Sequence, residues 1–554
     1  PRVERLLGWD ELPDDRFISL DGTMSFTVVE FGMPDEAITD LIPELTARLV
    51  PAQGIAAVHL SGYPPIAYDS ARISEEDLRR AETISLPIAL LILVIVFTSL
   101  VAAGMPLVVA GVAIPVALGS IGLLAERTEM SVYVLNVSTM LGLALAIDYS
   151  LFVVSRFREE LAAGQPVALA VERAVATSGK AVVFSAMAVA IGLAGLMVFP
   201  SSALTSIGTA GAITVAASAA AAVTFLPAVL GMLGPRIDAL SVRSLMTRIH
   251  PDRPSRPGPS RWERIATSVM AHPVAVIVPV VAFLLLLGLP FIHLRQAIPD
   301  AATLPMNAPS RIATLLLDTR FPPGETSPVQ ILATVDGDPT SEASIRALVR
   351  YAATLEALDG IDRVESPFSN VVNPMTGTVL TEDELVGAYA SPVIRPLLQP
   401  LLDAYVRGSV VRLDAISPYP PARPEAADLI PVIRALDPGE SIVVSVGGLA
   451  AGGYDFLDAI GDHVGEMLVL VVLAMAVVLF LLLGSVVLPI KAIGMTLLSL
   501  TASFGALVWI FQDGNLAGLL GFDAPGYTVA GNPLIMFAVL RSEEHTSELQ
   551  SRLH

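Results

Sequence analysis

The stretch LNVSTMLGLALAIDYSLFVVSRFREEL, Leu135 to Leu161, decides the fold. It is apolar for about twenty residues, long enough to cross a bilayer as a helix. Well inside that run stands an ionisable pair, Asp148-Tyr149. An aspartate near the middle of a membrane helix costs about 3 kcal/mol on insertion scales, so it faces a protein interior or a wet cavity and marks an ion or proton pathway. The bland alternative is a helix-end aspartate bonded to a neighbouring helix. Arg156 and Arg158 oppose it, because they mark the interfacial end and Asp148 lies about 12 Å deeper.

Composition agrees with a membrane reading. The chain has 554 residues, 53% hydrophobic and 16% charged, with a mean hydropathy of +0.68. These values exclude an ordinary soluble protein and indicate a polytopic membrane protein with sizeable soluble parts. The formal charge of −20 is unevenly spread: acid gathers in two soluble segments, arginine in short loops beside helices. There is no cysteine, hence no disulfide or thiolate metal site. Nothing resembles a signal peptide, and the first residue, Pro1, opens inside a polar segment, so the natural N-terminus is expected upstream. At the other end PLIMFAVL (533–540) is too short to span. It runs into RSEEHTSELQSRLH (541–554), which reads as the translation of a common sequencing adapter and is set aside as non-native. The chain is thus expected to be a fragment truncated at both ends.

Taken in order, residues 1–82 read as a soluble α/β segment. SFTVVEF (25–31) has strand character, DEAITDLIPELTARL (35–49) helical spacing, and AAVHL (56–60) is a second strand, together a βαβ unit. After a Gly62-Tyr63-Pro64 turn, residues 70–82 predict a polar helix with Ser74 and Asp77 in cap and first-turn roles. Residues 83–233 hold five apolar segments, near 85–104, 107–125, 132–155, 180–199 and 203–233, the first two forming a hairpin at the Gly104-Met105-Pro106 break. Residues 155–180 have an interfacial amphipathic pattern. Small residues over 208–225 predict close helix packing.

Residues 234–272 form a basic linker with seven arginines (236, 243, 248, 253, 256, 261, 264) against three acids (Asp238, Asp252, Glu263). The positive-inside rule makes it cytoplasmic, and beside membrane helices it is no nucleic-acid site. A sixth span (273–292) leads to a second soluble segment, 293–463, where 22 acids face 11 arginines, which places it outside. There VQILATV (329–335), a helix over 341–358 and DRVES (362–366) predict another βαβ unit. Two more spans lie in 464–512, the second following Pro489, then an outside loop (513–532) and the start of a further helix (533–540).

The second half repeats the first. Phe97 and Phe480, Pro106 and Pro489, Ser120 and Ser503, Gly122 and Gly505 are all separated by 383, and strand, helix, strand, glycine turn, amphipathic helix and paired spans recur in the same order. Such repeats are a transporter trait, with the coupling site between halves near the midplane.

With its large soluble segments ahead of paired spans, and with GLALAIDYSLFVVSRFREEL (142–161), the chain resembles the MMPL family of the resistance-nodulation-division (RND) superfamily. SGKAVVFSAMAVAIGLAGL (178–196) and FLPAVLGMLGPRID (225–238) also look like family segments. Gly142, Ala144 and Ala146 stand where the family usually has glycines, so the second and third positions depart from it. The resemblance covers nearly all of residues 20–540. It implies a polytopic α-helical membrane protein with two extracytoplasmic α+β porter domains of ferredoxin-like βαβ type. It also implies proton-driven export of lipids or other hydrophobic compounds through a bacterial inner membrane, with Asp-Tyr pairs on the fourth and tenth helices relaying protons. Asp148 and Tyr149 are the first pair; the second is expected past Leu540. Protons are the coupling ion and no cofactor is implied. The partners are a lipid or hydrophobic substrate and the membrane, not nucleic acid, and monomer and trimer both have precedent as assembly states.

The competing class is a non-transporting lipid or sterol sensor, or a protein-export accessory. A second Asp-Tyr pair favours a pump over either. An enzyme is disfavoured, because no Ser/His/Asp, metal or phosphate-loop arrangement appears; SGYPP and VGGLAAGG read as turns.

Overall fold

The computed structural model describes residues 3–10, 15–49, 56–128, 130–131, 133–241, 261–322, 324, 327–369, 371–373 and 377–540. The linker arginines 243, 248, 253 and 256 and the tail 541–554 lie outside them. Strands β1 (Val3–Leu7) and β2 (Val28–Phe31) pair antiparallel, and helix α1 spans Asp35–Leu49, as its spacing predicts. The expected βαβ unit does not form among the described residues. β2 pairs back onto β1, and residues 57–60 of AAVHL form no ladder, since an alternating stretch becomes a strand only where a partner edge is available.

Helix α2 runs unbroken from Tyr63 to Phe97. Ser74 and Asp77 therefore lie inside it and cap nothing. The first hairpin turns at Thr98-Ser99, earlier than the predicted Gly104-Pro106 break. Thr98 takes a left-handed φ of 56°, and Ser99 accepts from Ala102 N as the N-cap of α3 (Leu100–Ala125). Pro106 and Pro115 are carried inside α3, because neighbouring helices and side chains re-satisfy the backbone groups that proline frees. The fully buried Ser99 hydroxyl also reaches the carbonyls of Ile237 and Ala239 at 2.8 and 2.9 Å. Helix α4 spans Tyr133–Ala162, α5 Val167–Val198 and α6 Ser202–Asp238, the last two each interrupted by a π-turn, at Val175–Gly179 and Ala221–Phe225. As the small residues predict, α6 lies close to its neighbours. A Cβ on Gly208 would stand 2.5 Å from Leu193 O, and one on Gly211 2.9 Å from the Leu193 methyls.

An amphipathic α7 (Arg261–Ala271) precedes α8 (Pro273–His293). The second soluble segment follows, with α9 (Pro309–Arg320), β3 (Val329–Val335), α10 (Glu342–Glu356), β4 (Arg363–Glu365), α11 (Glu382–Ala390), α12 (Arg395–Tyr405), β5 (Val410–Ile416), α13 (Pro424–Ala435) and β6 (Ile442–Gly447). Sheet order is β4-β5-β3-β6 with every neighbour antiparallel. The predicted βαβ unit is therefore a split one: β5 lies between β3 and β4, and β3 between β5 and β6. This is the ferredoxin-like arrangement. β3 alternates strictly, burying Val329, Ile331, Ala333 and Val335 against Ile345, Leu348 and Leu355 of α10 and Ile430 and Ile433 of α13. Each fully buried Ile or Leu there stabilises the unit by about 2 kcal/mol.

Gly448 turns the chain from β6 into α14 (Leu449–Leu483) at φ +96°, and a Cβ there would meet Pro328 O at 3.0 Å. After Gly484 come α15 (Val487–Gln512) and α16 (Asn532–Leu540). The chain divides into two units, residues 1–70 with 296–458, and residues 71–295 with 459–554. α2 and α14 cross from one unit into the other without a break.

Candidate functional site

Helix α4 positions Asp148 and Tyr149. Its core face, including Ser138, Leu141, Leu145, Tyr149 and Val153, is buried against α3 and α6. Gly142 lets those helices close in, since a Cβ there would lie 2.9 Å from Ile114 Cγ1 and 3.2 Å from the Thr214 methyl. Consecutive helical residues point about 100° apart, so the two members of the pair meet different surroundings. Tyr149 is 1% exposed. Its hydroxyl faces Ser185 of α5 without completing a well-directed hydrogen bond among the described residues. Asp148 falls on an exposed stripe with Met140 and Ala144. Among the described residues the carboxyl lies outside the core that α4 forms with α3 and α6. The carboxylate is engaged rather than free.

Ser138 and Ser150 of α4 and Ser218 of α6 are buried, with hydroxyls that find no hydrogen-bond partner among the described residues. Hydroxyls lodged in apolar helices without partners cost free energy, so the α4–α6 core is more polar than its composition suggests. Neither these serines nor Ser185 stand out in the sequence, because a lone hydroxyl in an apolar run gives no periodic signal.

A second polar cluster closes the far end of α4. Glu160, with its side chain 7% exposed, accepts from Arg156 at 2.7 Å and from Arg173 of α5 at 3.0 Å, while Arg158 meets Asp238 of α6 at 2.7 Å. The arginines that mark the helix end are thus also ties to α5 and α6. Among the described residues no group of three or more His, Asp or Glu side chains is arranged to hold a metal.

Among the described residues, eight helices long and apolar enough to span a bilayer, with a ferredoxin-like unit lying between two sets of them in sequence, define the class: a multi-pass membrane protein of transporter fold. Residues 2–276 and 302–525 match the MMPL family, and the chain belongs to that family, a branch of the RND superfamily. The trehalose monomycolate exporter MmpL3 of Mycolicibacterium smegmatis is 31% identical over 93% of this chain and 51% of its own length. The putative membrane protein SCO6666 of Streptomyces coelicolor is 33% identical over 92% of this chain and 64% of its own. The mycolic acid-containing lipids exporter MmpL11 of M. smegmatis is 29% identical over 84% and 45%. The chain therefore spans about half to two thirds of the length of these relatives.

Proposed function

We propose that this chain is part of a proton-driven exporter of lipids or other hydrophobic compounds in a bacterial plasma membrane, non-enzymatic, with its soluble unit outside the cytoplasm. The observation that carries this reading is the Asp148-Tyr149 pair within a membrane-spanning helix of an MMPL-family chain. Relatives named as exporters of trehalose monomycolate and of mycolic acid-containing lipids support a lipid cargo. The arginine-rich linker against the acid-rich segment supports the orientation.

In this mechanism Asp148 takes a proton from the outer side and releases it inward. Low-dielectric surroundings make the neutral carboxyl affordable there, and the exposed face of α4 leaves it accessible to a facing helix. Tyr149, whose hydroxyl can donate and accept, fixes the carboxylate or passes the proton on. One charge moved through 100 mV supplies about 2.3 kcal/mol, enough to bias two conformations. Protonation where the fourth and tenth helices meet then rocks the halves, and α2 and α14 carry the movement to the soluble unit. Proton-gradient-driven transfer of a labelled glycolipid by the intact protein in vesicles tests this. Asp148→Asn is expected to abolish transfer, and undiminished transfer removes Asp148 from the mechanism.

A further inference from the structure

On the open face of the ferredoxin-like sheet, Asp414 of β5 stands directly across from Glu365 of β4. Opposed residues of an antiparallel pair place their Cβ atoms about 5 Å apart, and like charges so placed repel. The two carboxylates are served unequally. Glu365 accepts from Arg363 at 3.0 Å and also pairs with Arg16. Asp414, only 6% exposed, has among the described residues Arg412 alone: its Nε lies 3.2 Å from Oδ2, an ion pair without a well-directed hydrogen bond. The Arg412 guanidinium is meanwhile stacked 4.8 Å from the centre of the Tyr405 ring, at the end of α12. Asp414 Oδ1 is buried with no hydrogen-bond donor among the described residues. On its other side, β3 presents only the neutral Gln330.

We infer that Asp414 is a proton-operated latch of the soluble unit: ionised it loosens the edge strand β4 and the Tyr405 end of α12, and protonated it holds them to β5. The ionised form carries a buried charge with one poorly aimed partner and a carboxylate opposite. A proton removes the repulsion from Glu365 and the buried charge itself, leaving Arg412 free to stay on Tyr405. β4 has only three residues and sits at the edge of the sheet, so few ladder bonds resist that repulsion.

Burial, reinforced by Glu365 and only partly offset by Arg412, lifts the Asp414 carboxyl from 3.8 to about 6. A carboxyl raised on folding contributes stability that is complete below its unfolded value and is lost as pH rises through its folded value. The latch therefore closes in mild acid and opens toward neutrality, the reverse of an ordinary paired aspartate. Tyr405, pushed up by burial and by both carboxylates, stays neutral throughout and does not take part in the titration.

Hydrogen–deuterium exchange on the full chain in detergent, corrected for intrinsic exchange and run on both sides of pH about 6, tests the latch. Protection of residues 363–365 and 400–407 is expected to rise on acidification, and Asp414→Asn to lose that dependence and stay protected throughout. Asp414→Asn with the wild-type pH dependence overturns the proposal. Glu365→Gln supplies an independent arm. Removing the opposing charge is expected to shift the midpoint to lower pH, and an unmoved midpoint also overturns it.

Discussion

Gly505 of α15 and Gly288 of α8 meet backbone to backbone: a Cβ on residue 505 would lie 2.6 Å from Gly288 Cα and nearer still to the Leu287 carbonyl oxygen. The obstacle is main chain, which cannot rotate aside. Just beyond this crossing, Phe291 and Phe504 hold their rings 5.2 Å apart, so the contact also sets where the aromatic pair closes.

Gly505→Ala is accordingly expected to push α8 from α15 and to destabilise the membrane unit by about 1–3 kcal/mol, the usual cost of overpacking. Gly122, its counterpart 383 residues earlier, has nothing within 4 Å of the same virtual atom. Gly122→Ala should therefore leave the melting temperature in detergent nearly unchanged, and a comparable loss from both would remove close packing as the reason for Gly505.

The ties at the end of α4 should differ in strength. Glu160 is buried between Arg156 and Arg173, and breaking a buried pair costs about 3 kcal/mol or more. Asp238, 53% exposed, meets Arg158 in a setting where such pairs contribute at most about 1 kcal/mol. Thermal melts of Glu160→Ala and Asp238→Ala are expected to rank in that order, with the Glu160 variant also freeing α5 to trypsin.

Ser99→Ala removes the N-cap of α3 and the hydroxyl shared with the Ile237 and Ala239 carbonyls. A lost cap typically costs about 1 kcal/mol, and buried acceptors left without a donor add to it. Exchange of amides at 98–103 and 237–241 should quicken together in this variant, whereas quickening confined to 98–103 would mean the hydroxyl serves the cap alone.

Asp21 is held far below the usual carboxylate range, first by the Thr23 and Ser19 hydroxyls and then by Thr23 N–H and Arg320. A carboxyl depressed on folding contributes stability that is present above its unfolded pKa and lost as pH falls through the folded one. Asp21→Asn is thus expected to raise amide exchange over residues 19–24 by the same factor at neutral pH and at mildly acidic pH. A difference that vanishes in mild acid would contradict that pairing.

Much of the fold was legible because lipid imposes long apolar runs. α4, α8 and α15 announce themselves by length, and β3 by strict alternation. Pro106 misled because in water a proline ends a helix, whereas α3 carries it inside a membrane helix, where proline is tolerated. VQILATV and DRVES are not adjacent strands because β5, which begins 75 residues beyond the end of β3, inserts between them, and no local pattern encodes that pairing. The Asp148-Tyr149 pair was visible as charge in an apolar run. Its partition between an exposed stripe and a buried core was not, since that depends on which side α3 and α6 occupy. Ser185 and Asp414 were invisible for a related reason, as each matters only through a residue distant in sequence.

The two helices shared by both units are equal in length and unequal in stiffness. α2 and α14 each contain 35 residues, about 52 Å of rod at 1.5 Å per residue. Pro87 lies within the continuous α2, leaving the Thr83 carbonyl without its helical donor; α14 has no proline, and its backbone ladder runs the whole way. A tilt applied to α14 must reappear undiminished at its opposite end, while α2 has a joint at which the same tilt can be absorbed.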